Sequence, residues 1–185
     1  MRPRPTLALI VLFAAAAAIA CGAREAPAEK PPARIECPSL GIVLVDPPSD
    51  LKLVRNDGGV VVLEPTDKEG TITIARGTAE EDSNLVQAVK DHQAAIEARE
   101  GSEYLGVREL VTPLGSAYWS RGRYPEGGKT VEETRIVTLH PSGNGVLTLT
   151  SVYPAADDSS ARIQTLLGIV VGIEALQPAG AGAPS

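Results

Sequence analysis

The stretch from Tyr104 to Tyr153 constrains this chain more than any other. Four runs of β-branched, aromatic and aliphatic residues, Tyr104–Thr112, Ser116–Tyr124, Val131–His140 and Gly145–Tyr153, are separated by Pro113-Leu114-Gly115, Pro125-Glu126-Gly127-Gly128-Lys129-Thr130 and Pro141-Ser142-Gly143-Asn144. Connections this short and this rich in Gly and Pro join antiparallel neighbours. If the hairpins close with Tyr124 opposite Val131 and His140 opposite Gly145, one sheet face carries Trp119, Ile136, Thr138, Leu147 and Leu149. The other carries Tyr118, Val137, Leu139, Val146 and Val152. Both faces are apolar, whereas a free-standing antiparallel sheet keeps one face wet, so each must be covered.

Two helices are available as covers. From Ser83 or Asn84, either a suitable N-cap, the period changes: Leu85, Val89, His92 and Ile96 form one stripe, and the pattern ends before Gly101. Asp157-Asp158-Ser159-Ser160 caps a second helix, its acids at the positive end of the dipole, with Ile163, Leu166, Leu167, Val170 and Ile173 as its stripe. Ile169, Val171 and Leu176 lie off that stripe, which predicts burial on more than one side. Ahead of the first helix, Leu40–Val45, Leu51–Arg55, Val60–Glu64 and Thr71–Ala75 predict successive antiparallel strands joined by turns. The expected fold class is α+β, a central antiparallel β-sheet sandwiched between helices in α/β/α layers.

The ends differ from the middle. Arg2 and Arg4 precede an uninterrupted apolar run from Leu7 to Ala20, the pattern of a secretory signal peptide over residues 1–20. Ala18-Ile19-Ala20-Cys21 resembles the lipobox of bacterial lipoproteins, with Ala18 where Leu is usual, and that resemblance implies acylation of Cys21. Two or more acyl chains anchor stably, where one binds only marginally. Gly22 is compatible with export to the outer membrane, facing the periplasm. Residues 21–34 read as a flexible tether of Ala, Pro and charge, 177–185 as a disordered tail, and 35–176 as a single domain.

The formal net charge is −6, and cleavage before Cys21 removes Arg2 and Arg4 and no acid, leaving −8. No basic run forms a nucleic-acid footprint, so DNA and RNA are not expected partners. An acidic surface is repelled by anionic headgroups, which assigns membrane attachment to the acyl chains. With Cys21 acylated, Cys37 has no partner in the chain and reads as an inert, partly buried thiol; without acylation a Cys21–Cys37 bridge or an intermolecular disulfide is open to it.

Little here suggests catalysis. His92 and His140 are the two histidines, the first on an apolar helix stripe and the second at a hairpin tip, where an exposed turn residue is expected. No zinc-ligand spacing, nucleophile elbow or phosphate loop is present, and Glu80-Glu81-Asp82 reads as an acidic run ahead of a helix, so neither cofactor nor metal is expected. The most suggestive constellation is Trp119, Arg121 and Arg123, placed on one strand face by alternation. It would suit an anionic or sugar-bearing ligand or a protein partner. The competing reading packs Trp119 beneath a helix and pairs Arg123 with Glu132 across the hairpin. Every aromatic beyond the signal (Tyr104, Tyr118, Trp119, Tyr124 and Tyr153) lies in the meander, which favours a binding surface there.

Strands, an amphipathic helix, a long meander and a closing apolar helix, on a lipobox and tether, resemble the PsbP-like superfamily over about residues 38–176. Its members include the PsbP subunit of photosystem II, a yeast Ran-binding import factor and bacterial lipoproteins of the DcrB and LpqN type. Local echoes are Leu85-Val86-Gln87-Ala88-Val89 and Gly115-Ser116-Ala117-Tyr118. The resemblance implies a non-catalytic binding or assembly factor and transfers no site residue. The expected function is a lipid-anchored envelope lipoprotein that is not an enzyme and binds a protein partner or amphiphilic ligand. The alternatives are an envelope hydrolase or transferase with a site that only the fold assembles, and a structural spacer.

Overall fold

The computed structural model describes residues 31–66, 69–77, 84–155 and 159–177. The expected signal peptide, Cys21, the tether as far as residue 30, Glu80-Glu81-Asp82, the capping Asp157 and Asp158, and the tail from residue 178 lie outside them. Along the described residues run β1 (Arg34–Cys37), β2 (Ile42–Val45), β3 (Leu51–Asp57), β4 (Val60–Pro65), β5 (Thr71–Arg76), α1 (Leu85–Glu97), β6 (Glu103–Thr112), β7 (Gly115–Glu126), β8 (Lys129–Leu139), β9 (Val146–Pro154), α2 (Ser159–Val171) and β10 (Ile173–Ala175). β1 takes in Arg34, which the sequence assigns to the tether.

Turn chemistry sets the registers. Between β7 and β8 the loop is only Gly127-Gly128, with φ of 58° and 79°, a left-handed pair that matches strand twist and that Gly adopts without a Cβ clash. It closes Glu126 on Lys129 and carries Tyr124 to Val131, as alternation predicts. Strands β3-β4-β5-β9-β8-β7-β6 form one antiparallel seven-stranded sheet, in that order.

Both faces of this sheet are covered. On one, α1 starts where Asn84 Oδ1 accepts from the backbone N–H groups of Val86 (3.1 Å) and Gln87 (3.2 Å). Its buried stripe is Ala88, Val89, His92 and Ile96, with Ala88 and Val89 packed against Val137 and Val146. On the other, Leu166, Ile169 and Val170 of α2 join Ile72, Ile74, Ile136, Leu147 and Leu149 in the main core. The fold class is α+β, as the pattern of elements requires.

The second cover is not helix alone. β2 was expected beside β3 in the main sheet; instead it pairs with β1 on one side and β10 on the other, a separate three-stranded sheet whose Ile42, Leu44 and Ile173 enter the main core beside α2. Ile42, Val43 and Leu44 are all buried, and a run apolar on consecutive positions has no wet face to offer an outer strand. Ile173 accordingly belongs to β10 and not to the helix stripe. Gly172 ends α2, since a Cβ there would collide with the Val45 carbonyl oxygen, which lies against the glycine. Val171 is 62% exposed and takes no part in the expected wider burial, whereas Ile169 does.

His140 also departs from expectation. It is buried at 3% exposure, accepting the Ser142 N–H at Nδ1 (3.1 Å) and donating from Nε2 to the Leu40 carbonyl (2.8 Å), so it pins the β8–β9 hairpin to the loop before β2. The partner lies a hundred residues away, outside any local pattern. Cys37 is buried and has no disulfide partner among the described residues, and burial pushes its thiol up to about 11. No described helix is long and apolar enough to cross a membrane.

Candidate functional site

Alternation on β8 sends the consecutive Glu132 and Glu133 to opposite faces of the sheet, and both are buried, at 0% and 4% exposure. A buried carboxylate is tolerated only when paired and hydrogen-bonded. Toward α2, Glu132 Oε1 accepts from Arg121 Nε (2.9 Å) and Nη2 (2.7 Å), and Oε2 accepts from Arg123 Nε and Nη2 (both 2.9 Å). The Tyr153 hydroxyl donates to Oε1 at 2.8 Å; burial, and after it this carboxylate, push that hydroxyl up to about 12.

Toward α1, Glu133 lies 3.1 Å from His92 Nε2, 3.3 Å from Arg135 Nη2 and 3.6 Å from Arg99 Nη2, and accepts from the Tyr124 hydroxyl at 3.0 Å. Burial alone would raise this carboxyl, but His92, Arg135 and Tyr124 act on the ionised form and hold it down at about 2. His92 Nδ1 is 2.6 Å from Ser120 Oγ, so a serine, a histidine and a glutamate stand in sequence beneath α1. The His92–Glu133 approach is oblique, close without a well-aligned hydrogen bond. Burial lowers His92 below its ordinary 6.5, which leaves it neutral at neutral pH. Ser120 and His92 are both 0% exposed, so a nucleophile of this kind has no open approach to a substrate.

Trp119, Arg121 and Arg123 share one face, as alternation requires. The two arginines spend their forks on Glu132, the pairing expected for Arg123 and missed for Arg121. Trp119 packs at the margin of the main core, and its indole Nε1 is buried with no hydrogen-bond partner. The residue that sequence reasoning missed is Arg108. It lies directly opposite Trp119 in the β6–β7 register, and its guanidinium stands 5.6 Å from the indole centroid, with that of Arg121 at 5.7 Å. The signal was legible: counting back from the closure of Thr112 on Gly115 brings Arg108 to Trp119. Leu105, Gly106, Val107, Arg108, Trp119 and Arg121 line a depression of about 110 Å³ at the sheet margin. A larger open cleft of about 490 Å³ lies by Tyr153, with Val131, Val152 and Pro154 on its wall and Glu69 and Lys129, 3.2 Å apart, at its rim. Among the described residues no group of three or more His, Cys, Asp or Glu could hold a metal ion.

No protein-family model matches the chain and no curated protein matches its sequence. Its fold does match solved structures. A protein of Bacteroides thetaiotaomicron VPI-5482 aligns with a TM-score of 0.54 and 14% identity over 82% of this chain and 50% of that one, so this chain spans half of that protein. The Ran-binding protein Mog1p of Saccharomyces cerevisiae aligns with a TM-score of 0.53 and 12% identity over 78% and 95%. LpqN of Mycobacterium tuberculosis, involved in cell envelope biogenesis, aligns with a TM-score of 0.50 and 17% identity over 80% and 86%. The architecture is therefore one shared with Mog1p and LpqN, the fold that the order of elements resembles.

Proposed function

We propose that this chain is a non-catalytic lipoprotein of the bacterial envelope, anchored at the outer membrane on its periplasmic side through acyl chains on Cys21. Its domain binds a protein partner or an amphiphilic ligand, in the manner of an assembly factor. The observation that carries the reading is a contrast in engagement. The groups able to do chemistry are enclosed, Ser120, His92 and Glu133 against one another on one face of the sheet and Glu132 between Arg121, Arg123 and Tyr153 on the other. Arg108 and the Trp119 indole, at the open margin of the sheet, have neither an ion pair nor a hydrogen bond to a described residue. LpqN's part in envelope biogenesis and Mog1p's binding of Ran lend support by analogy of fold.

Cys21→Ser is expected to move the protein from the membrane to the soluble fraction and to abolish its acyl label; an acylated, membrane-bound Cys21→Ser protein overturns the anchor. Crosslinking in cells followed by mass spectrometry is expected to return a specific partner, lost in Arg108→Ala with melting temperature unchanged. No specific partner would leave the domain a spacer. Arg121→Ala is a poor probe, because it strips a counter-charge from the buried Glu132.

A second reading, a hydrolase or transferase, has the Ser120–His92–Glu133 order in its favour and the enclosure of all three against it. Turnover of p-nitrophenyl acetate that disappears in Ser120→Ala would favour it.

A further inference from the structure

We infer that the open edge of β6 is a strand-addition site for an extended peptide with acidic side chains on one face and apolar ones on the other. The inference deepens the proposed binding function and rests on it.

β6 ends the seven-stranded sheet and pairs with β7 alone among the described residues, so one row of its backbone donors and acceptors faces outward. Natural sheets usually blunt such an edge with Pro, Lys or a bulge. β6 has neither Pro nor Lys, and its one irregularity lies between Tyr104 and Gly106, which leaves Val107 to Thr112 in regular register. A chain laid along that row would gain main-chain hydrogen bonds, and its alternate side chains would meet the two faces of the edge.

The two faces differ in chemistry. On the α1 side Val107 is 47% and Val111 92% exposed, with the exposed Glu109 between them. On the α2 side stands Arg108, which lines the depression together with Trp119 and Arg121. A carboxylate on this side answers the charge of the Arg108 guanidinium, which has no ion pair among the described residues. The depression, about 110 Å³, has room for a carboxylate. A free anion would use the depression but neither the valines nor the backbone row; a peptide uses all three. In a second copy the register centred on Glu109 would set that acid against its own counterpart, which disfavours that pairing.

The chain has a single tryptophan, Trp119, so its fluorescence reports on this site alone. The full chain is titrated with acetyl-Thr-Val-Glu-Thr-Glu-Val-Thr-amide, which reads alike in either strand direction. Saturable change in Trp119 emission is expected, weakened about tenfold or more by Arg108→Ala or by Gln in place of both peptide glutamates, as fits the loss of a charge-assisted contact. It is expected to vanish for the peptide methylated on alternate backbone nitrogens. Equal binding of the methylated peptide, an equal response to inorganic phosphate, or no response at millimolar peptide overturns strand addition, as does a concentration-dependent dimer that the peptide fails to dissociate. If the peptide fails while the partner crosslinked in cells is still lost in Arg108→Ala, this inference falls and the proposed function stands. If both fail, both fall.

Discussion

Glu132 and Glu133 impose opposite demands on the two faces of one strand, and each is met by a different set of side chains. Glu132 draws its partners from the neighbouring strands β7 and β9, at positions that strand register sets. Glu133 takes Tyr124 from β7, Arg135 from its own strand, and His92 and Arg99 from the first helix and the turn after it. The pairing of Arg123 with Glu132 was accordingly legible from alternation and a hairpin closure, whereas the cluster around Glu133 was not. Nothing in the chain before tertiary assembly says which strand His92 will lie on. The titration of this cluster sets a pH dependence. Glu133, held at about 2 in the fold against an ordinary 4.5, contributes stability that is present above 4.5 and lost as pH falls toward 2. His92, lowered from 6.5, takes up a proton more readily in the unfolded chain, so it too favours unfolding as pH drops below 6.5. Melting temperature followed by circular dichroism is expected to decline below pH 6.5 and more steeply from 4.5 downward. Glu133→Gln should remove the lower step; a profile level from pH 6.5 to 3 would contradict this account of the cluster.

The helix α1 sits close to β7 because Gly122 allows it. A Cβ at that position would lie 2.6 Å from Ile96 Cγ2 and 2.7 Å from Cγ1, both on the branched, stiff part of the side chain. Gly122→Ala is therefore expected to lift or tilt α1 and to destabilise the domain by about 1–3 kcal/mol, the usual range for overpacking. Ile96→Ala in that background should recover part of the loss, and a double-mutant cycle by urea denaturation reads the coupling; additive effects would mean that α1 does not rest on Gly122. The existence of α1 was readable from its stripe and its Asn84 cap, since both are local. β10 was not, because Ile173 and Leu176 continue a helical spacing past Val171. The warning available was Gly172, whose lack of a side chain serves the backbone of Val45.

In the whole domain, β2 is flanked by strands from near the two ends of the described chain, β1 and β10, so the second layer closes only when both are in place. Ending the chain after Val171 removes Ile173 from the core and the hydrogen bonds from Val45 N–H to Gly172 and from Leu176 N–H to Gly41. A loss of about 2 kcal/mol or more is expected from the buried isoleucine alone, measured by urea denaturation. Ending it after Gln177 should leave stability unchanged, and equal stability of the two truncations would remove β10 from the account of the core.

The amino-acid sequence by itself determined the order of elements, the hairpin registers of the meander, the need to cover both sheet faces and the face shared by Trp119, Arg121 and Arg123. These follow from short-range rules: a two-residue turn sets register, and a period of two sets the side. Only the tertiary structure decided that β2 leaves the main sheet, that His140 reaches Leu40, that Ser120, His92 and Glu133 meet, and that Glu132 occupies both arginine forks while Arg108 stays open. Those outcomes depend on contacts between segments far apart in the chain, chosen by which apolar surface and which buried charge find cover, and no local pattern records that choice.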